Sequence, residues 1–82
     1  MGEELIKKGE EILVNEIGYE KVQDDVNWLI YRFRASKNEY CDLQFYKPQK
    51  TLNISSSAQL FNELCSEEIE GIYLIIKGLN CD

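Results

Sequence analysis

Residues 26–55 predict three antiparallel strands, because in one register every second side chain of the first hairpin is apolar. Successive side chains of a strand point to opposite faces, so Leu29 and Tyr31 face one way while Trp28 and Arg32 face the other. One face is then wholly apolar and suits a core. The second face carries large aromatic, apolar and cationic side chains, namely Trp28, Ile30, Arg32, Arg34, Tyr40 and Tyr46.

The register of the first hairpin is specified by both faces together. Pairing Arg34 with Tyr40 places Arg32 opposite Asp42 and brings two aromatic residues face to face at the far end. A slip of one residue would send every apolar side chain to the wrong face. The predicted pairs are Arg34–Tyr40, Phe33–Cys41, Arg32–Asp42, Tyr31–Leu43, Ile30–Gln44, Leu29–Phe45 and Trp28–Tyr46.

Two turns connect these strands. The first is a loop over residues 36–38, where we expect Asn38 to take a positive φ. The second is centred on Pro48 and Gln49, because proline is pre-set for the first central position of a turn. The second hairpin then pairs residues of like polarity, Leu52 with Phe45 and Ile54 with Leu43.

The chain before the strands predicts an amphipathic helix from Glu3 to Ile17 that ends at Gly18. We expect Gly9 to let this helix approach the sheet closely. Residues 19–23 are compatible with a short edge strand, and Asp24 with Asp25 indicates a turn before the main block. The helical apolar stripe is formed by Leu5, Ile6, Ile12, Leu13 and Ile17.

The chain after the strands predicts one or two helices. Ser56 or Ser57 is expected to cap the first, whose stripe is Leu60, Phe61, Leu64 and Cys65 and which ends near Ser66. In the tail, Ser66 followed by two glutamates favours a helix start, and Gly78 favours a stop. However, the β-rich run from Ile72 to Ile76 also suits a buried strand. Helix is the preferred interpretation, and strand remains the alternative.

Together these elements predict a single 82-residue α+β domain. Its antiparallel sheet has three or four strands, with an N-terminal helix and one or two C-terminal helices packed on one face. The other face is then open to solvent or to a partner.

Composition excludes several kinds of chemistry. The chain has no histidine, so it has no Ser-His or Cys-His dyad and no imidazole metal ligand. Its three cysteines, Cys41, Cys65 and Cys81, lack close pairing, which argues against a zinc site and favours free thiols in a reducing compartment. We expect no enzymatic activity, no cofactor, no metal, no membrane span and a cytoplasmic location. Cys41 and Cys65 are expected on apolar faces, and Cys81 is expected to be exposed.

Charge is the one compositional extreme, with 15 acidic residues against nine basic ones and a net charge of −6. Residues 1–19 carry a net −3 and residues 56–82 a net −4, whereas residues 20–55 carry +1. Carboxylates in the acidic segments can attract a basic surface. The candidate steering carboxylates are Glu63, Glu67, Glu68 and Glu70, with Asp24 and Asp25 as a second group.

Aromatic and arginine side chains on the open strand face are the types in which binding energy concentrates, and the candidate contact residues are Trp28, Arg32, Arg34, Tyr40 and Tyr46. We therefore expect a non-enzymatic protein-binding module: a small acidic inhibitor that mimics nucleic acid and occupies a basic, nucleic-acid-binding surface of a target. In size, acidity and lack of catalytic groups the chain resembles phage-encoded anti-defence proteins, including some anti-CRISPR proteins, and small bacterial immunity proteins.

Two alternatives come from the same strand face. Interleaved aromatic and arginine side chains on a sheet can stack single-stranded RNA or DNA, although a net charge of −6 opposes a phosphate backbone. The open faces of two copies could instead pair to form a structural homodimer.

Overall fold

The computed structural model of the chain describes residues 1–57 and 64–81. Over these residues it shows an α+β fold with two α-helices and a four-stranded antiparallel sheet, which confirms the predicted fold class. The chain divides into a helical unit, Met1–Gly18 with Leu64–Asp82, and a sheet unit, Tyr19–Glu63.

In the helical unit, α1 spans Gly2–Glu11 and runs into a π-helical segment, Ile12–Ile17. The Gly18 amide N–H donates to the Leu13 carbonyl at 3.0 Å, the five-residue spacing of a π-turn. Gly18 then ends the helix with φ 109°, a left-handed conformation that glycine adopts without steric cost. The predicted helix end is confirmed, whereas the change to π geometry was not foreseen.

Helix α2 spans Ser66–Asn80, so the helical interpretation of the tail is confirmed over the strand. The predicted stop at Gly78 is wrong, because the helix continues through it. Cys65 is the residue that caps α2, and the backbone N–H of Cys65 donates a hydrogen bond to the Glu68 carboxylate at 3.1 Å. Cys65 is therefore exposed at a helix start rather than lying on an apolar stripe.

Glycines bring the two helices together. A Cβ placed on Gly9 would lie 2.6 Å from the Gly71 carbonyl oxygen, and one on Gly78 would lie 2.6 Å from the Gly2 carbonyl oxygen. Since the start of α1 meets the end of α2, the helices are antiparallel. The close approach expected between Gly9 and the sheet is corrected: the partner of Gly9 is α2.

The sheet unit contains β1 (Glu20–Asp24), β2 (Trp28–Arg34), β3 (Tyr40–Tyr46) and β4 (Thr51–Ser56), in that spatial order. All seven predicted β2–β3 pairs are confirmed, as are the β3–β4 pairs of Leu52 with Phe45 and Ile54 with Leu43. Strand β1 confirms the edge strand suggested for residues 19–23, and its register with β2 shifts at a bulge between Lys21 and Gln23.

Two predictions about the turns and the next helix are corrected. Among the described residues, positive φ outside glycine occurs at Lys50 and not at Asn38. The turn at Pro48 and Gln49 is present, since the Lys50 amide N–H donates to the Lys47 carbonyl at 3.3 Å. Ser56 ends β4 and does not cap a helix, while the predicted stripe residues Leu60 and Phe61 lie outside the described residues.

The apolar face of the sheet is the buried one. Tyr31, Leu43 and Phe45 have no exposed surface, and Leu29 and Cys41 are almost fully buried. Within this face, Tyr31 and Phe45 pack edge to face with ring centroids 6.2 Å apart. The predicted alternation of faces is therefore confirmed, although Phe33, near the end of β2, is only half-buried.

Replacing Leu43 by alanine should strongly destabilise the protein. The change removes a fully buried side chain between two neighbouring strands and should cost about 2–5 kcal/mol in the free energy of unfolding. Arg34→Ala, at an exposed position, should cost no more than about 0.5 kcal/mol. Urea unfolding of both variants tests this, and equal midpoints would contradict the assignment of faces.

Replacing Gly9 by alanine should also destabilise the protein. Glycine to alanine at an ordinary helix position stabilises by up to about 1 kcal/mol, but here the new methyl group would meet the backbone of α2. We expect a loss of about 1–3 kcal/mol, as in other overpacked sites, measured by thermal unfolding. Lys8→Ala, at an exposed neighbour, is the control, and a raised melting temperature for Gly9→Ala would show that the helices are not in close contact.

Candidate functional site

The outer face of the sheet is the side of β2 and β3 opposite the buried apolar side chains. Cross-strand pairing places the aromatic, polar and charged residues of this face in rows. Most of its central side chains are half-buried, and Arg34 is exposed. We call this surface the outer plate; it comprises Trp28, Ile30, Arg32, Arg34, Tyr40, Asp42, Gln44 and Tyr46.

Arg32 and Asp42 form a bidentate ion pair at the centre of the outer plate. Arg32 Nε donates to Asp42 Oδ1 at 2.7 Å, and Arg32 Nη2 donates to Asp42 Oδ2 at 2.9 Å. The Asp42 side chain is 5% exposed and the Arg32 side chain 34% exposed. The hydrogen bond to Asp42 also raises the pKa of Arg32 above its ordinary value. Because both oxygens are used, the pair fixes the guanidinium in one orientation.

Aromatic rings lie at both ends of the outer plate. The Arg32 guanidinium carbon lies 4.9 Å from the centre of the Tyr40 ring, within the range of a cation–π contact. Trp28 and Tyr46 pack against each other with ring centroids 4.8 Å apart. The plate therefore presents partly exposed rings whose orientations are already set by neighbours.

Polar side chains extend the plate at two sides. Asn53 on β4 donates from Nδ2 to Gln44 Oε1 at 2.8 Å, linking the edge strand to the plate. Arg34 donates from Nη1 to the Lys37 carbonyl at 3.3 Å and remains exposed. The plate thus unites five of the predicted contact residues: Trp28, Arg32, Arg34, Tyr40 and Tyr46.

The predicted carboxylates Asp24 and Asp25 have local structural partners. Asp24 accepts a hydrogen bond from Lys47 Nζ at 2.8 Å, and this bond lowers its pKa. Asp25 Oδ1 accepts from the backbone N–H groups of Trp28 at 2.7 Å and Asn27 at 2.9 Å, which makes a side-chain-stabilised turn. The Trp28 bond is the largest cause of the lowered pKa of Asp25. The turn therefore begins at Asp25 and fixes the start of β2, whereas Asp24, which was also predicted in the turn, is the last residue of β1.

Two of the predicted carboxylates, Glu67 and Glu68, lie in the first turn of α2, in the helical unit. Glu68 is used to cap the helix. Glu67 is exposed, and hydrogen bonds lower the pKa of its carboxyl group. The largest effect comes from its own backbone N–H, and smaller ones come from the side chains of Cys65 and Ser66. The Glu68 N–H favours the Cys65 thiolate, but desolvation and the nearby carboxylates outweigh it and raise the pKa of Cys65. Glu70 is exposed, and Glu63 lies outside the described residues.

Three residues of the plate, Ile30, Asp42 and Gln44, are not among the contact residues predicted from the sequence, and Asp42 is the one that holds Arg32 in place. Its position opposite Arg32 was evident from the register, but its burial was not. A charge on a strand usually indicates a solvent-exposed position, whereas the Asp42 side chain is 5% exposed.

Other kinds of site are not found in the part of the chain that the structure describes. Within residues 1–57 and 64–81, no three cysteine, aspartate or glutamate side chains come together in a group that could hold a metal ion. Over the same residues no helix is long and apolar enough to cross a membrane. Comparison with known proteins adds no relationship: no protein-family model, curated protein or solved structure matches the chain.

Removing either partner of the central ion pair should destabilise the protein, and removing Arg32 should cost more than removing Asp42. Arg32→Ala leaves the nearly buried carboxylate without its cation and should cost about 3–5 kcal/mol. Asp42→Ala leaves an arginine that still reaches water and should cost less. Urea unfolding of both single variants and the double variant measures the coupling, and a double variant less stable than Arg32→Ala would contradict this interpretation.

Proposed function

We propose that this protein is a non-enzymatic protein-binding module of the cytoplasm. It acts as a small acidic inhibitor that occupies a basic, nucleic-acid-binding surface of a target protein. The observation that carries the proposal is the outer plate, which holds the Trp28–Tyr46 pair and, beyond the Ile30–Gln44 pair, an arginine fixed by two hydrogen bonds.

The plate has the properties of an interface before any partner arrives. Trp, Tyr and Arg are the residue types that dominate binding energy in protein interfaces. Ordering such side chains on binding usually costs about 0.5–1.5 kcal/mol each. Here ring packing and the ion pair already limit their rotation, so less of that cost remains.

The distribution of charge supports attraction to a basic target. The helical unit contains nine acidic residues against three lysines and so carries the whole net charge of −6, while the sheet unit has six of each sign. A net negative charge raises the rate of encounter with a cationic surface and loses this effect as salt is added. The exposed carboxylates of Glu67 and Glu70 are the natural candidates in α2, because Glu68 is committed to capping.

The ion pair also weighs against direct binding of nucleic acid by the plate. Phosphate recognition needs available cationic donors. Arg32 already uses two of its nitrogen donors on Asp42, and its charge is compensated there. Arg34 is the remaining arginine of the plate, which is too little positive charge to overcome a net charge of −6.

Partner capture from cell lysate should depend on the plate. We expect the wild-type protein to retain a specific partner at low salt and the Trp28→Ala, Tyr46→Ala double variant to bind that partner at least about 30-fold more weakly. Tyr73→Ala is the matched control, because it removes an aromatic side chain that is 60% exposed on α2. Binding to the identified partner is then measured by calorimetry.

Three further measurements separate the parts of the proposal. Added salt and the Glu67→Lys, Glu70→Lys variant should both weaken the complex, and the protein should displace labelled nucleic acid from its partner. Undiminished binding by the double plate variant would contradict the plate as the interface. Binding of a labelled single strand by the protein alone at low salt would favour the nucleic-acid alternative.

A further inference from the structure

The two edges of the sheet differ in how they oppose pairing with another strand. Edge strand β1 carries charged residues at three of its positions and is interrupted by the bulge between Lys21 and Gln23. Charges and bulges are the usual means by which edge strands avoid intermolecular pairing. Strand β4, TLNISS, contains no charged residue, proline or glycine, and its register with β3 is continuous over all six residues.

Hydrogen bonds at the ends of the ladder show which backbone groups of β4 point to the edge. The Lys47 N–H donates to the Asn27 carbonyl at 2.8 Å, toward β2, and the Ser57 N–H donates to the Tyr40 carbonyl at 3.0 Å, between β4 and β3. Along an antiparallel strand, the backbone N–H and C=O groups of successive residues point alternately to one neighbouring strand and to the other side. The backbone groups of Thr51, Asn53 and Ser55 therefore face β3, and those of Leu52 and Ile54 face the edge.

Side chains of β4 match this arrangement on both faces. Leu52 and Ile54 pair with buried Phe45 and Leu43, so they share the apolar face, yet Ile54 is 43% exposed. Asn53 lies on the opposite face beside Gln44. The edge therefore presents an exposed β-branched side chain next to outward-facing backbone groups.

We propose that β4 pairs with β4 of a second copy of this chain, antiparallel about a two-fold axis at Asn53, to form one continuous eight-stranded sheet. Directly opposed residues must point to the same face, and the outward-facing groups must meet. Centring on Asn53 satisfies both conditions. It places Leu52 opposite Ile54 of the second copy, Thr51 opposite Ser55, and Asn53 opposite itself.

Charge permits this pairing despite the acidity of the chain. The strand is uncharged and belongs to the sheet unit, whose charges balance, while the net −6 resides in the helical unit. Added salt should therefore leave the dimer intact or strengthen it, because salt screens repulsion between two acidic copies. This response is opposite to that of the proposed complex with a basic target, so the two interactions are distinguishable.

A charge-complementation experiment tests the axis. Light scattering should show a dimer for the wild type, whereas Asn53→Asp and Asn53→Lys should each be monomeric, since like charges then face each other. An equimolar mixture of the two variants should restore the dimer. Gln23→Glu and Gln23→Lys, on the β1 edge, are the matched controls and should remain dimeric.

A cysteine cross-link tests the register independently. In a Cys65→Ser, Cys81→Ser background, Asn53→Cys should form a disulfide-linked dimer under mild oxidation, because non-hydrogen-bonded opposed residues have Cα atoms about 4.5 Å apart. Thr51→Cys should not cross-link, since its counterpart in the second copy lies four residues along the strand. Circular dichroism confirms that each variant is folded. A wild type that is monomeric at NMR concentrations, or a dimer unaffected by both Asn53 variants, would overturn the proposal.

Discussion

Alternation of side chains across the β2–β3 ladder is the constraint on which the sheet unit depends. One register places Tyr31, Leu43 and Phe45 in the core and the Trp28–Tyr46 pair on the outer plate. The same register sets Arg32 against Asp42, and a nearly buried carboxylate is costly without a cationic partner. A slip of one residue would expose the core side chains and leave the Asp42 carboxylate without its ion-pair partner. Stability and the candidate interface are therefore set by one arrangement and cannot vary independently.

This register could be predicted because two independent patterns agree over seven residue pairs. The apolar pattern assigns the core face, and the opposed charges and aromatic residues select the partner strand. Turn conformation was less predictable. Asparagine takes positive φ readily, so Asn38 was a reasonable expectation, yet Lys50 adopts it after the Pro48–Gln49 turn. At the β3–β4 turn, the backbone conformation is set by the need to close the hairpin in this register and not by the preference of a single side chain for positive φ.

The roles of the glycines could not be assigned from local sequence. A glycine can end a helix, bracket a strand or admit a neighbouring backbone, and the choice depends on residues distant in the chain. Gly9 and Gly71 lie at one crossing of the helices, and Gly2 and Gly78 lie two helical turns away. The seven-residue spacing in both segments was the available signal. Contact with α1 also explains why Ile72 to Ile76, a β-rich run, is helical.

The location of the two proposed interactions decides whether they compete. A homodimer formed by apposing two outer plates would bury Trp28 and Tyr46 and exclude any other partner. Pairing through β4 instead extends the sheet in its own plane, about a two-fold axis perpendicular to the sheet, so both plates lie on the same face of the continuous sheet. Asn53 connects the two features, since it lies at the proposed axis and donates to Gln44 of the plate. Edge pairing would therefore duplicate the plate rather than consume it, and a target with two adjacent basic surfaces would gain from engaging both copies at once.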